Sequence, residues 1–226
     1  MTVRNRLYLI GLAICLSFGP VAAADKRAEA YVETQANNVF EVLNDKSLNS
    51  EARSKKFSEY LHAFSYLPDI ARRVLGAQGR TISPAVFDRY FVSFEQYAIA
   101  VYEVRFDELR GGSLKVTGSS DPAPRRSLVT TVIKSAESGK ESKVVWDVLQ
   151  SQDGASFRVR DVGINLDGSL IWLAQDQQAQ FETFLDRNNG DIDLLIARIK
   201  QKTATIDERR KSRTPLPSTR ADRTLD

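Results

Sequence analysis

The feature that most constrains what this chain can fold into is a single change of hydrophobic period near its middle. From Asp25 to about Leu109 apolar residues recur at helical spacing, in AEAYVETQANNVFEVLND, SEARSKKFSEYLHAF, YLPDIARRVLG and a long segment that opens at Ser83-Pro84. A serine hydroxyl can accept from the free amides of a first helical turn. Proline at the first helical position forfeits only an N–H that has no partner there, so this boundary is well marked. After Gly111-Gly112 the period falls to two, in SLKVTGSS, RSLVTTVIKSA, SKVVWDVLQSQ and ASFRVRDVGINL, separated by the turn clusters SSDPAPRR, ESGKE and SQDGA. Such alternation is what an antiparallel meander of four strands requires. Two further helices are expected, from Ser169 to Asn188 and from Asp191 to Thr203, with Asn188-Asn189-Gly190 as the stop between them. The predicted fold is therefore α+β, a four-stranded antiparallel sheet packed on one face by several helices. A single domain is expected over residues 25–203, and a disordered tail over 204–226, which ends in ERRKSRTPLPSTRADRTLD without an apolar period.

The chain has 226 residues, 42% of them hydrophobic and 27% charged, enough to bury one sizeable core. Its 32 Lys and Arg against 29 Asp and Glu are spread along most of the length rather than gathered on one element, which argues against nucleic-acid binding. At the N-terminus MTVRNR supplies Arg4 and Arg6, and LYLIGLAICLSF is apolar but short for a bilayer span. Val21-Ala22-Ala23-Ala24 then ends in small residues at signal-peptidase spacing. Residues 1–24 are expected to be a signal peptide cleaved after Ala24, with a retained membrane anchor as the alternative. Cys15 lies behind Ile14, where a lipoprotein signal would carry a small residue, so lipidation is not expected. Cleavage would leave no cysteine and, with Arg4 and Arg6 removed from the 32, 30 basic against 29 acidic residues. Export without disulfides fits a bacterial periplasm.

Alternation predicts which strand residues face the helices. In SKVVWDVLQ, Asp147 shares a side with Val145 and Leu149, so Val144, Trp146 and Val148 form the inward set. In FRVRDV, Arg158 and Arg160 point out while Phe157 and Val159 point in. Asp161 falls on that inner side as well and needs a hydrogen-bonding partner, as a capped structural carboxylate would have.

The stretch FDRYFVSFEQYAIAVYEVRF, from Phe87 to Phe106, carries seven aromatic residues. At helical spacing Phe87, Phe91, Phe94, Ala98 and Val101 form one stripe, Tyr90, Tyr97, Val101 and Val104 a second, and Ile99, Tyr102 and Phe106 a third. An amphipathic surface helix needs only about a 100° apolar stripe, so this helix must be covered on several sides. Two readings stand: a central helix between the sheet and the other helices, or a helix whose lining partly faces a cavity.

Catalytic constellations are absent from the pattern. His62 is the one histidine and, with no cysteine in the exported chain, offers neither a nucleophile-base pair of the usual kind nor a zinc set. Gly76 to Gly79 lacks the Lys-Ser or Lys-Thr of a phosphate loop. In DRNNGDID the glycine falls one place early for a calcium loop counted from Asp186, and Ala197 stands where a bidentate Glu belongs. No metal, cofactor or enzymatic activity is expected.

FSEYLHAFSYLPDIARRVLG, ISPAVFDRYFVSFEQYAIAVY, the pair VVWDVLQ and FRVRDVGINLDGSL, and FETFLDRNNGDIDLLIARIK, in this order and spacing, resemble the MlaC family. These are the periplasmic lipid-binding components of the Mla (toluene-tolerance) transport systems, with a hopanoid-associated HpnM branch. The resemblance runs from about Phe57 to Lys202. Phe157 stands where the family often has tryptophan, and Gln177-Gln178 where a Tyr-Arg pair often precedes the last aromatic helix, as in a divergent branch. The resemblance implies a carrier whose apolar cavity between sheet and helices holds the acyl chains of a phospholipid or hopanoid-type lipid. Its partners would be an inner-membrane ABC transporter complex and an outer-membrane lipoprotein complex. The cavity lining expected is Phe64, Leu67, Phe87, Tyr90, Phe91, Phe94, Tyr97, Val101, Val144, Trp146, Val148, Phe157 and Val159. A periplasmic adaptor domain with a solid core and a periplasmic lipid hydrolase are the alternatives.

Overall fold

The structure is a computed structural model that describes residues 25–45, 47–107, 111–136, 139–166 and 168–211. The signal peptide expected over 1–24 and the tail beyond 211 lie outside the described residues. Asp25 caps α1 (Lys26–Asn44) by accepting from the Arg27 amide at 2.8 Å, and Asn49 caps α2 (Ser50–Phe64) through the Ala52 amide at 2.8 Å. After α3 (Leu67–Val74) and the single turn α4 (Gln78–Thr81), α5 runs over Pro84–Asp107 from the proline expected to open it. The strands are β1 (Ser113–Ala123), β2 (Arg126–Lys134), β3 (Glu141–Gln150), β4 (Phe157–Leu166) and β5 (Ser169–Trp172). They form one sheet in the order β1-β2-β3-β4-β5, each strand antiparallel to the next. The chain ends its described part in α6 (Leu173–Arg187) and α7 (Ile192–Lys211).

The sheet has five strands rather than the expected four. Ser169–Trp172, taken from the sequence as the start of a helix, turns back on β4 at Gly168 (φ 85°) and pairs Trp172 with Gly163. The Asp-Gly in INLDGSLIW, flanked by apolar residues, is a strong local hairpin signal, and it prevails over the helical spacing that follows it. The second correction concerns α7, which continues to Lys211 instead of stopping at Thr203. No glycine or proline interrupts that segment, and Arg210 near its end pairs with the buried carboxylate of Glu103 on α5. Between α6 and α7, Asn189 (φ 54°) and Gly190 (φ 74°) are left-handed, and the Gly190 amide donates to the Leu185 carbonyl at 2.8 Å, the helix stop that the sequence predicts.

Inner and outer faces of β2 and β3 follow the alternation. Ser127, Val129, Thr131 and Ile133 are buried, and Val129 and Thr131 stand opposite Trp146 and Val144 in the register. On β4 a bulge intervenes. Asp147 faces Asp161 and Val148 faces Val159, leaving Arg160 as the extra residue. One added residue reverses the phase of everything after it. Asp161 therefore leaves the side it was expected to share with Phe157 and Val159 and stands beside Asp147. Its Oδ1 accepts from the Val162 amide at 2.8 Å and the Ala174 amide at 2.9 Å, capping α6, whose own cap residue Trp172 has no side-chain acceptor. The expected structural carboxylate is thus present, and burial pushes its pKa up. Asp147 is held by Arg126 at 2.8 Å and Arg160 at 3.4 Å.

Helices cover the sheet unequally. α1 lies on β1 and β2, while α2 and α6 meet β4. The aromatic helix α5 packs mainly on α7, α2 and α3, so it is a central helix among helices rather than one inserted against the sheet. α5 and α7 run parallel, joined by Arg89 and Asp193 at their starts (2.7 Å) and by Glu103 and Arg210 towards their ends. Among the described residues no helix is long and apolar enough to cross a membrane.

Candidate functional site

The space of interest is the seam between α1 and the sheet. Val32, Ala36, Val39 and Phe40 recur at i, i+4, i+7 and i+8, and so form one stripe of α1. With Gln35 they make one wall of the seam. Phe64 at the end of α2, Leu114 on β1, Ile133 on β2, Trp146 on β3 and Val159 on β4 make the other. Leu114 and Ile133 are direct partners in the register. Gln35 is the one polar lining residue, and it presents no exposed polar atom to the space. The open volume is about 10 Å³, room for a single water. The seam is tightly packed.

Polar groups position its walls. The Trp146 indole Nε1 donates to the Thr131 hydroxyl at 2.9 Å, which fixes the ring on the floor. The Tyr31 hydroxyl donates to the Phe64 carbonyl at 2.8 Å. Burial raises the Tyr31 pKa, and the positive charge of nearby Arg158 opposes the shift. The remaining polar ties of α1 to its surroundings lie near its ends: Arg27 to the Gly154 carbonyl (2.5 Å), Ser119 to Glu29 (2.8 Å), and the Gly111 amide to Asn44 (2.8 Å). Between these points, among the described residues, α1 meets the sheet through apolar contact, which has no directional preference to resist separation.

Of the residues expected to line a cavity, Phe64, Trp146 and Val159 line the seam. Val144, Val148 and Phe157 lie in the same core on the sheet side, and Leu67 is buried at the start of α3. The α5 residues form a separate group. Tyr90 and Phe94 stack edge-on against Phe181 of α6 at 6.3 and 6.4 Å, and Phe87 stacks on Phe91 at 6.0 Å under the Arg72 guanidinium. The Tyr90 hydroxyl donates to the Ala71 carbonyl at 3.1 Å, while Tyr97 is partly buried against the core and Val101 half-buried. The structure does not bring these six α5 residues to the seam. Sequence reasoning overlooked the α1 wall, Leu114 and Ile133, although their spacing shows them: helical on α1, alternating on β1 and β2.

Chemistry of other kinds finds no support in the arrangement. His62 Nε2 lies 2.6 Å from Glu95 Oε1, and Ser58 bonds the same carboxylate oxygen at 3.4 Å. The acid thus stands between imidazole and hydroxyl, the reverse of a relay in which histidine activates serine. Among the described residues no group of three or more His, Cys, Asp and Glu is placed to hold a metal ion. A wider hollow beside the β1–β2 turn is lined by Asp25, Asp121, Arg125 and Arg126, groups of both signs that suit no acyl chain.

Fold and seam together define an α+β domain of the meander-and-helix type, with its apolar space between the sheet and the helix laid across it. The chain belongs to the MlaC family, whose sequence profile it matches over residues 33–201. That match includes most of α1, which the resemblance read from the sequence did not reach. Among solved structures the chain is similar to a phospholipid-binding protein from Ralstonia solanacearum determined in complex with a phospholipid. The two share 16% sequence identity and a TM-score of 0.65, over 80% of this chain and 98% of that one. Comparison with curated proteins finds no sequence match.

Proposed function

We propose that this protein is a periplasmic lipid carrier. It would take up the acyl chains of a phospholipid or hopanoid-type lipid between α1 and the sheet and move that lipid between outer- and inner-membrane complexes of an Mla-like system. Residues 1–24 would serve as the export signal. The observation that carries the reading is the seam itself, apolar on both walls and lying between the sheet and α1. At about 0.8 kcal/mol per methylene, two chains with roughly 30 methylenes cost on the order of 24 kcal/mol to expose to water. A carrier must replace that water with apolar wall, and when unloaded it must bury the same wall against itself. α1 would meet both needs by moving, since among the described residues its middle meets the sheet through apolar contact. Membership of the MlaC family and the phospholipid-bound relative of similar fold support the same reading.

An adaptor domain with a solid core is the second reading, and one experiment separates the two. Protein purified from a bacterial periplasm is extracted with chloroform and the extract analysed by mass spectrometry, for the native chain and for Ala36→Trp. The carrier reading expects co-purified lipid in the native protein and a folded variant with reduced lipid, since the indole occupies the space of the chains. Native protein that carries no lipid, and takes none from vesicles, sinks the carrier. Full lipid in a folded Ala36→Trp protein would move the site away from the seam, towards the α5 aromatic cluster.

A further inference from the structure

One end of the seam carries cationic charge that the fold does not neutralise. Several arginines of the fold have an acidic partner: Arg73 with Asp69, Arg89 with Asp193, Arg126 and Arg160 with Asp147, Arg210 with Glu103. Arg27 and Arg158 have no side-chain carboxylate within salt-bridge distance among the described residues. Their guanidinium groups rest on backbone carbonyls instead, Arg27 on Gly154 at 2.5 Å, Arg158 on Ala63 at 3.0 Å and Phe157 at 3.3 Å. The two flank one aromatic pair. Arg27 lies 5.3 Å above the Phe157 ring, and that ring is 5.6 Å from Tyr31. Phe64, whose carbonyl takes the Tyr31 hydroxyl, is a seam-lining residue, and Arg158 holds the carbonyl of Ala63 beside it, so the aromatic pair and its cations adjoin the Phe64 end of the seam. The acids closest in sequence are turned elsewhere. Asp25 accepts from the Arg27 amide, Asp153 from Ser151 and the Ala155 amide, and Glu29 from Lys26 and Ser119.

We propose that Arg27 and Arg158 form the subsite for the phosphodiester of a bound lipid. The inference rests on the carrier reading and deepens it: the lipid is a phosphate-bearing one rather than a neutral polycyclic one. A guanidinium presents a planar set of donors that matches phosphate oxygens, and its charge-assisted bonds are about twice as strong as neutral ones. Carbonyl contacts consume only part of each donor set, leaving N–H groups for a ligand. Chains laid in the seam would leave the phosphate at its rim, within reach of both arginines.

The test measures uptake by delipidated protein of two fluorescent lipids with the same acyl chains, phosphatidylglycerol and diacylglycerol, from neutral carrier vesicles. Native protein should prefer phosphatidylglycerol by roughly tenfold or more, the factor that a charge-assisted hydrogen bond supplies. R27Q and R158Q should each reduce that preference, and the double variant should abolish it while still taking up diacylglycerol, which also reports that the variant is folded. R27K/R158K should restore part of the preference by returning the charge without the planar fork. Equal uptake of both lipids by native protein, or an undiminished preference in the double variant, overturns the subsite and leaves the carrier standing. Uptake of neither lipid by native protein removes the carrier and the subsite together.

Discussion

Thr131→Val tests whether the floor of the seam is held by a single hydrogen bond. Thr131 is fully buried and its hydroxyl is the acceptor for the Trp146 indole at 2.9 Å; its own contact to the Val144 carbonyl, at 3.4 Å, is long and contributes little. Valine matches threonine in volume, so the substitution removes the acceptor without opening a cavity. A buried indole N–H left without a partner costs about 1–3 kcal/mol. The methyl that replaces the hydroxyl returns up to about 0.8 kcal/mol through burial. The net expectation is a loss of roughly 0.2–2 kcal/mol when that return is full, read as a lower urea midpoint at unchanged slope in delipidated protein. In the Trp146→Phe background, where no N–H remains, the same substitution should be close to neutral. No loss in native protein, or the same loss in both backgrounds, would refute the assignment of this bond as what seats the ring.

Asp161→Asn should change how stability depends on pH. Burial raises the folded pKa of Asp161 above its ordinary value, against the opposing pull of the Ala174 and Val162 amides and the Arg73 charge. The folded state therefore holds the proton more tightly than the unfolded one. The stabilisation this gives is complete below the unfolded pKa and is lost as pH rises through the folded one. Asparagine keeps the Oδ1 acceptor for α6 and does not titrate, so the variant's melting temperature should fall less than the native protein's as pH rises above about 4; parallel curves would count against the shift. Gly79→Ala should destabilise strongly although Gly79 lies in a helix with no left-handed requirement, because an added Cβ would sit 1.9 Å from the Arg72 carbonyl oxygen, a backbone atom that cannot swing aside. The cost expected is at the upper end of about 1–3 kcal/mol or beyond. The gain of up to about 1 kcal/mol that helix propensity alone would give, seen by the same urea titration, would contradict it.

The sequence by itself determined what depends on neighbours within a few residues. Ser83-Pro84 marks the start of α5 and Asn189-Gly190 the stop after α6, because caps and left-handed positions are set by local backbone chemistry. The period of two after Gly112 marks the strands, and on β2 and β3 it also names the inner face, because nothing interrupts the alternation there. The tertiary structure decided the rest. One bulge residue, Arg160, carried Asp161 to the other side, a change of phase that no count of alternating residues contains. The four residues of β5 were claimed by hairpin pairing with β4 before a helix could take them. Above all, amphipathic spacing says that a helix has an apolar face but not which element that face will meet. The aromatic richness of α5 said that it is covered on several sides and left open whether by its neighbours or by a cavity; Tyr90 and Phe94 meet Phe181, and the helix packs among other helices. The plainer stripe of α1, Val32 to Phe40, came to lie on the sheet because the residues that face it, from Leu114 to Val159, are brought together only when four strands pair.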